Sequence, residues 1–479
     1  QKQSEGSPFM TSPLLDDFGY LAEEEYAKQI IAGTYQIPEG TCSYATEFIE
    51  TLKMSDAVKE LGEINLNVTP QQNREGWKRM KDKTSSAHDS LGFSHYRAAA
   101  YDDVLNEIDA FIRSAPLELG FAPTAWGTIT DLQILKKANN YLVDKMRCIQ
   151  LMDAEYNMNN KLLGKRLLAH AEKAGALSAD QHGSRKNHKA QLAILIKQQL
   201  MDTLRVQHRC GAIAMNDAKG CYDRIVHTVA ILVLMSFGLN HTVARVLFQV
   251  LQTAEHNIKT GYGVSQSGYG QTNPPAQGSG QGNGLGPTGW ALISSRMMQM
   301  MKNKGHGVNM KTSLSLVIIS IVCVGFVDDT DLPTAGATVD TPGEDIQQDF
   351  QTSLDRWAGA LHVTGGELDP KKSWCYFIDF RWTGTTWQYR NKEEMPGDFT
   401  LNDKDGTQHT LNRLEPSQGS ETLGIYLAMD GSHADHLRSM KDKGIAFADK
   451  IRVSNCSSNV ALYTYKYCFL PSLQYSMCV

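Results

Sequence analysis

The longest apolar run in the chain spans residues 314–327 and is rich in Val and Ile, a pattern that predicts one buried strand. It closes on Gly325-Phe326-Val327-Asp328-Asp329-Thr330, where two carboxylates follow one another at a turn. A shorter run, Ala212 to Met215, predicts a second strand leading into Asn216-Asp217. Leu192, Leu195, Ile196, Leu200 and Leu204 recur at helical spacing and predict a helix with that stripe in the core. Further helices are expected from Asp223 to Phe237, with Gly238 as its stop, and from His241 to His256. Two more are expected from Thr288 to Asn303, behind Pro287, and from Glu344 to Leu361. Between them, residues 261–286 are dense in Gly, Ser and Gln and read by themselves as a flexible loop. Towards the start, Glu23-Glu24-Glu25 and the Glu47–Glu63 region read as solvated helical faces.

Composition narrows the class. With 41% hydrophobic and 21% charged residues over 479 positions, the chain reads as a soluble globular protein of about two to four domains. The 314–327 run is too short to span a bilayer and ends in two acids, so no membrane segment is expected. No signal peptide is expected. Nine cysteines include no Cys-x-x-Cys pair, which points away from a zinc cluster or a disulfide framework. The expectation is an intracellular protein, cytoplasmic or nuclear and not secreted. The first residue is Gln and the final stretch from Ala461 to Val479 stays apolar, so the chain reads as a fragment of a longer open reading frame.

The net charge of −5 is unevenly spread. Residues 1–130 carry 11 basic and 20 acidic side chains, and residues 131–210 carry 14 and 7. Residues 211–430 carry 16 and 22, and residues 431–479 carry 6 and 3. Two basic segments therefore flank an acidic one, as expected where carboxylates that bind metal lie between surfaces that hold phosphates.

The chemistry centres on Asp217, Asp328 and Asp329. Asn216-Asp217-Ala218-Lys219-Gly220-Cys221-Tyr222 and Phe326-Val327-Asp328-Asp329 together resemble the palm of reverse transcriptases, nearest in style to those of non-LTR retrotransposons. Other stretches are similar to the family's motifs in order. Lys145-Met146-Arg147-Cys148-Ile149-Gln150-Leu151 resembles Arg-Pro-Ile-x-Leu, with Cys148 in place of Pro. Gln181-His182-Gly183-Ser184-Arg185 resembles Gln-x-Gly-Phe-Arg, with Ser184 for Phe. Gln281-Gly282-Asn283-Gly284-Leu285-Gly286-Pro287 resembles Gln-Gly-x-x-Leu-Ser-Pro, with Gly286 for Ser. Gly365 to Ser373 resembles Gly-x-x-x-Asn-x-x-Lys-[Ser/Thr], with Asp369 for Asn, and Leu423-Gly424 resembles a Leu-Gly signature near the primer terminus.

The resemblance implies an α+β right-hand polymerase with fingers, a palm of antiparallel sheet and helices, and a partial helical thumb. The expected division is an acidic N-terminal region of unknown role at 1–76, fingers with an N-terminal extension at 77–210, palm at 211–430 and partial thumb at 431–479. It further implies an RNA-directed DNA polymerase of a mobile element that takes an RNA template, a DNA primer and dNTPs, with no membrane role. Asp217, Asp328 and Asp329 would hold two Mg²⁺ ions, for which Mn²⁺ could substitute. Lys372 would protonate the leaving pyrophosphate. Arg147, with Lys137 or Lys136, would hold the triphosphate, and Gln281 and Gly282 would border the nucleotide. Tyr222, five residues after Asp217, would exclude a 2′-hydroxyl and favour deoxynucleotides. Gln181, Arg185, Leu423 and Gly424 would contact template or primer. Two alternatives stay open: a decayed or domesticated copy that binds nucleic acid without synthesis, and a group II intron-type maturase.

Overall fold

The computed structural model describes residues 7–272, 274–311, 315–395, 397–403 and 406–477. The chain is α+β, and its contacts divide it into two units. One comprises residues 1–178, 219–300 and 359–367, the other residues 179–218, 301–358 and 368–479.

In the first unit a four-stranded sheet runs in the order Met146–Leu151, Thr128–Leu135, Glu255–Thr260, Gly263–Val264. Helix His227–Ser236 is apolar all round, and each of its residues is buried, as such a helix requires. The acidic N-terminal residues contribute to this core: Phe9, Ile30, Phe48 and Leu52 are buried. Glu24 and Glu25 occupy the first turn of helix Glu24–Ala32, where the helix dipole favours negative charge. Trp77 is fully buried, stacks on Tyr96 at 4.7 Å and donates its indole N–H to Asp109 at 2.7 Å.

The second unit is built on a five-stranded sheet ordered Asn412–Leu414, Trp374–Ile378, Gly211–Asp217, Asp329–Ala335, Val324–Phe326. Pairing is antiparallel throughout except between Trp374–Ile378 and Asn412–Leu414. Gly211–Asp217 is the middle strand, and six of its seven residues are buried. Side chains alternate across a strand, so Ile213 and Met215 share one face. They pack there with Leu200, Met201 and Leu204 of helix Ala190–Val206 and with Tyr376 and Ile378 of the neighbouring strand. Asp217 falls on that same face.

Three sequence expectations are corrected. The 314–327 run is not one buried strand. Leu314 lies outside the described residues, and residues 315–320 are exposed. Ile318–Ile321 pairs with Val308–Lys311 in a separate hairpin, and only Val324–Phe326 joins the sheet, at its edge. Branched side chains favour extended backbone, but burial needs something packed on top. The helix over 190–206 forms as expected with a different face inward. Leu192 and Leu195 are 38% and 44% exposed, whereas Ile194, Lys197, Leu200, Met201 and Leu204 are buried. The helix expected over 223–237 is broken: Cys221–Arg224 ends at Ile225, whose ψ is 123°, and the chain restarts at His227.

The face assignment can be measured. Leu204→Ala should lower the unfolding free energy by about 2–5 kcal/mol in urea denaturation. Leu195→Ala should stay within about 0.5 kcal/mol of the parent.

Candidate active site

Sheet register brings the acids together. Asp217 is the direct cross-strand partner of Asp329, and Met215 is that of Asp331. Because β side chains alternate, Asp217, Asp329 and Asp331 project from one face. Asp328 precedes them in the turn that joins Phe326 to Asp329, a two-residue hairpin connection. Burial and the charge on Asp328 lead in pushing the Asp329 carboxyl up to about 6; Asp331 and Asp217 add to this, and Lys197 opposes it. Negative charge is thus crowded at this end of the sheet.

The hairpin turn is held from the side by the Gln181–Arg185 motif. Val327 has φ +59°, a value that a β-branched residue rarely adopts. His182 N–H donates to the Gly325 carbonyl at 2.8 Å, and Gly325 N–H donates to the Asp180 carbonyl at 3.0 Å. A β-carbon at Gly183 would lie 2.4 Å from the Val327 nitrogen, so only glycine permits this approach. Gln181 is fully buried, and its Oε1 accepts from the Gly183 N–H at 2.7 Å. Arg185 donates to the Gln181 carbonyl at 2.9 Å. These contacts brace the turn.

Lys372 reaches the acids from the neighbouring loop. Its Nζ lies 2.6 Å from Asp217 Oδ2 and 3.1 Å from Asp369 Oδ2. Burial works against its charge, yet Asp217 and Asp369 outweigh that and hold the ammonium above its usual range. Asp369 also donates its backbone N–H to the Asp217 carbonyl at 2.9 Å, which ties this loop to the strand Gly211–Asp217. Among the described residues, no three His, Cys, Asp or Glu side chains converge as a ready-made metal cage. The Lys372 ammonium takes up an Asp217 oxygen instead.

The carboxylate face opens into a cleft. Asp217, Asp329, Asp331, Lys372 and Trp374 line the sheet side, and Thr422 and Leu423 line it from the hairpin Ser420–Thr422/Ile425–Leu427. Leu423 and Gly424 form the two-residue turn of that hairpin, with φ +50° and +82°, as a type I′ connection requires. Two residues here went unnoticed in the sequence: Asp331 and Lys197. They form an ion pair with 5% and 4% side-chain exposure. The available signal was a lysine three residues after Ile194 and three before Leu200, inside an apolar helical stripe.

The first unit carries the residues expected to hold the nucleotide. Arg147 and Lys137 are exposed on and beside the hairpin Thr128–Leu135/Met146–Leu151. Cys148 is half-buried, its thiol pushed up to about 12 by burial first and the Asp131 charge second. Asp131 also meets His256 Nδ1 at 3.0 Å and accepts from the Tyr269 hydroxyl. Tyr222 is half-buried; its carbonyl accepts from Ser279 N–H at 2.7 Å, and a β-carbon at Gly286 would stand 3.5 Å from its ring. The Gly-rich segment is ordered here by packing. The Gln281 carbonyl accepts from Gln150 N–H at 2.6 Å, and Gly282 needs to be glycine, with φ +117° and Gln150 O 2.4 Å from its β-position.

A family model for reverse transcriptase (RNA-dependent DNA polymerase) matches residues 134–386, more than half of the chain. The chain belongs to the reverse transcriptase family, whose class of activity is nucleotidyl transfer on a nucleic-acid template and primer. No curated protein matches it. Among the described residues, no helix is long and apolar enough to cross a membrane.

The crowded carboxylates carry a pH signature. A folded-state pKa of about 6 for Asp329 lies above the ordinary carboxylate value, so the proton it retains stabilises the fold at low pH. That contribution is lost as pH rises through about 6. In metal-free buffer, Asp329→Asn should therefore melt above the parent at about pH 8, and the gap should close towards about pH 4.

Proposed function

We propose that the chain is an RNA-directed DNA polymerase of a mobile element of non-LTR type, extending a DNA primer with dNTPs along an RNA template. The observation that carries this reading is the register pairing of Asp217 with Asp329, beside Asp328 in its braced turn and with Lys372 on Asp217. The hard carboxylate oxygens and their mutual repulsion fit a divalent cation. Two Mg²⁺ ions, or Mn²⁺ in their place, would supply Lewis-acid stabilisation to the attacking and leaving oxygens of an in-line phosphoryl transfer. Asp217, Asp328 and Asp329 are the residues that would hold them.

The remaining roles fall to the chain's own side chains. Lys372, kept protonated by two carboxylates, donates a proton to the departing pyrophosphate as general acid. Arg147 and Lys137 neutralise the triphosphate, since spread negative charge needs several cations. Gln281 and Gly282 border the nucleotide, where glycine lets the backbone approach. The Tyr222 ring closes the space a ribose 2′-hydroxyl would need, which selects deoxynucleotides. Arg185 acts on the template side, with buried Gln181 holding its guanidinium through the backbone carbonyl, and Leu423-Gly424 acts on the primer.

Primer extension on poly(rA)/oligo(dT) with Mg²⁺ or Mn²⁺ tests the reading. The parent should extend and Asp328→Ala should not, with losses of about 10³-fold or more. Equal extension by both would refute the assignment of the acids. Binding of the hybrid without extension by either would favour a decayed copy. Tyr222→Ala should raise ribonucleotide incorporation relative to deoxynucleotide, measured as the ratio of their kcat/KM values. An unchanged ratio would remove the sugar-selecting role.

A further inference from the structure

Helix Ala190–Val206 buries an ammonium group in an otherwise apolar stripe. Lys197 is 3% exposed, amid Ile194, Leu200, Met201 and Leu204. A methionine or leucine there would pack without the cost of removing a charge from water. Lys197 meets that cost with two partners: it forms an ion pair with Asp331 and donates to Thr422 Oγ1 at 2.5 Å. Each partner stands on a different wall of the carboxylate cleft. Asp331 lies two residues beyond Asp329 on the same strand and face, and Thr422 is the last strand residue before the Leu423-Gly424 turn.

Resting on the polymerase reading above, we infer that Lys197 is a positioning residue that fixes the Thr422–Gly424 wall against the Asp329–Asp331 strand and so sets where the primer 3′ end lies relative to Asp217 and Asp329. Breaking a buried pair leaves the other charge uncompensated, while an apolar replacement of both could pack equally well. What the ion pair adds over apolar packing is direction: one ammonium with two fixed acceptors allows one register between strand and hairpin. An error of about 1 Å in reacting atoms is enough to slow a transfer by about 100-fold.

Thr422→Val tests this with the least disturbance, because it keeps the shape and removes only the acceptor. Lys197→Met is the companion variant, and Thr422→Ser restores the hydroxyl. Three readouts are needed on the full chain: single-turnover extension, dNTP and hybrid affinity, and fluorescence of a 2-aminopurine at the primer 3′ end in the unreacted complex. Thr422→Val should slow extension by about 10- to 100-fold with both affinities changed by no more than about 2-fold. It should also shift the 2-aminopurine signal, and Thr422→Ser should return both rate and signal towards the parent. If Thr422→Val extends and fluoresces as the parent does, the positioning role is wrong while the polymerase reading stands. If it loses hybrid or dNTP affinity in place of rate, the role is likewise wrong. If the parent itself does not extend, both readings fall.

Discussion

The second unit is governed by like charge gathered at the open end of a sheet. Asp217, Asp329 and Asp331 share a face because antiparallel register leaves them no other, and Asp328 stands beside them in the turn. Carboxylates this close repel one another and resist ionisation together. The chain answers with two lysines of different kinds. Lys372 approaches from a half-exposed loop and touches Asp217 and Asp369 where solvent reaches it. Lys197 comes from inside the core to Asp331 and has nowhere to go. One cation is half-exposed and the other is buried.

Backbone constraint does the rest of the placing. The Asp328 turn forces Val327 to φ +59°, and such strain persists only where surroundings over-determine it. Here the surroundings are the Asp180–Gly183 segment, which pairs with Gly325 and brings Gly183 against the Val327 nitrogen. A motif that reads in sequence as a template contact is a buttress in the structure. Its departure at Ser184, φ +62°, falls on a residue already held in a left-handed conformation, where a small polar side chain is tolerated better than a large ring.

Much of this was legible in the chain. Local chemistry marked the acids, since Asp217 and Asp328-Asp329 each end an apolar run, and the α+β class followed from the family motifs. Lys372 matched the family's lysine by position, but its contact with Asp217 depends on a loop conformation that the motif does not show. The inward face of the 190–206 helix was misread because exposed Leu192 and Leu195 are as hydrophobic as buried Ile194 and Leu200, and periodicity alone cannot rank them. That misreading hid Lys197. A lysine at a stripe position reads as a solvated residue unless the stripe is first assigned correctly, and Asp331 acquires meaning only once its partner is known.

The Gly-rich segment shows the converse, where composition by itself reads as a flexible loop and packing holds residues 281–286 in place. Its glycines remove side chains where neighbours come close: Gln150 O at Gly282, and Asn157 O at Gly284, each less than 3 Å from a would-be β-carbon. Asparagines then take the place of regular secondary structure. Asn157 donates to the Gly282 carbonyl and accepts from the Gly284 N–H, and Asn160 donates to Asn283. A backbone stripped of side chains is here pinned by amide hydrogen bonds in one conformation. The same glycines that lower the propensity for helix or strand are thus what fix this loop, because the close approaches they permit are to hydrogen-bonding partners.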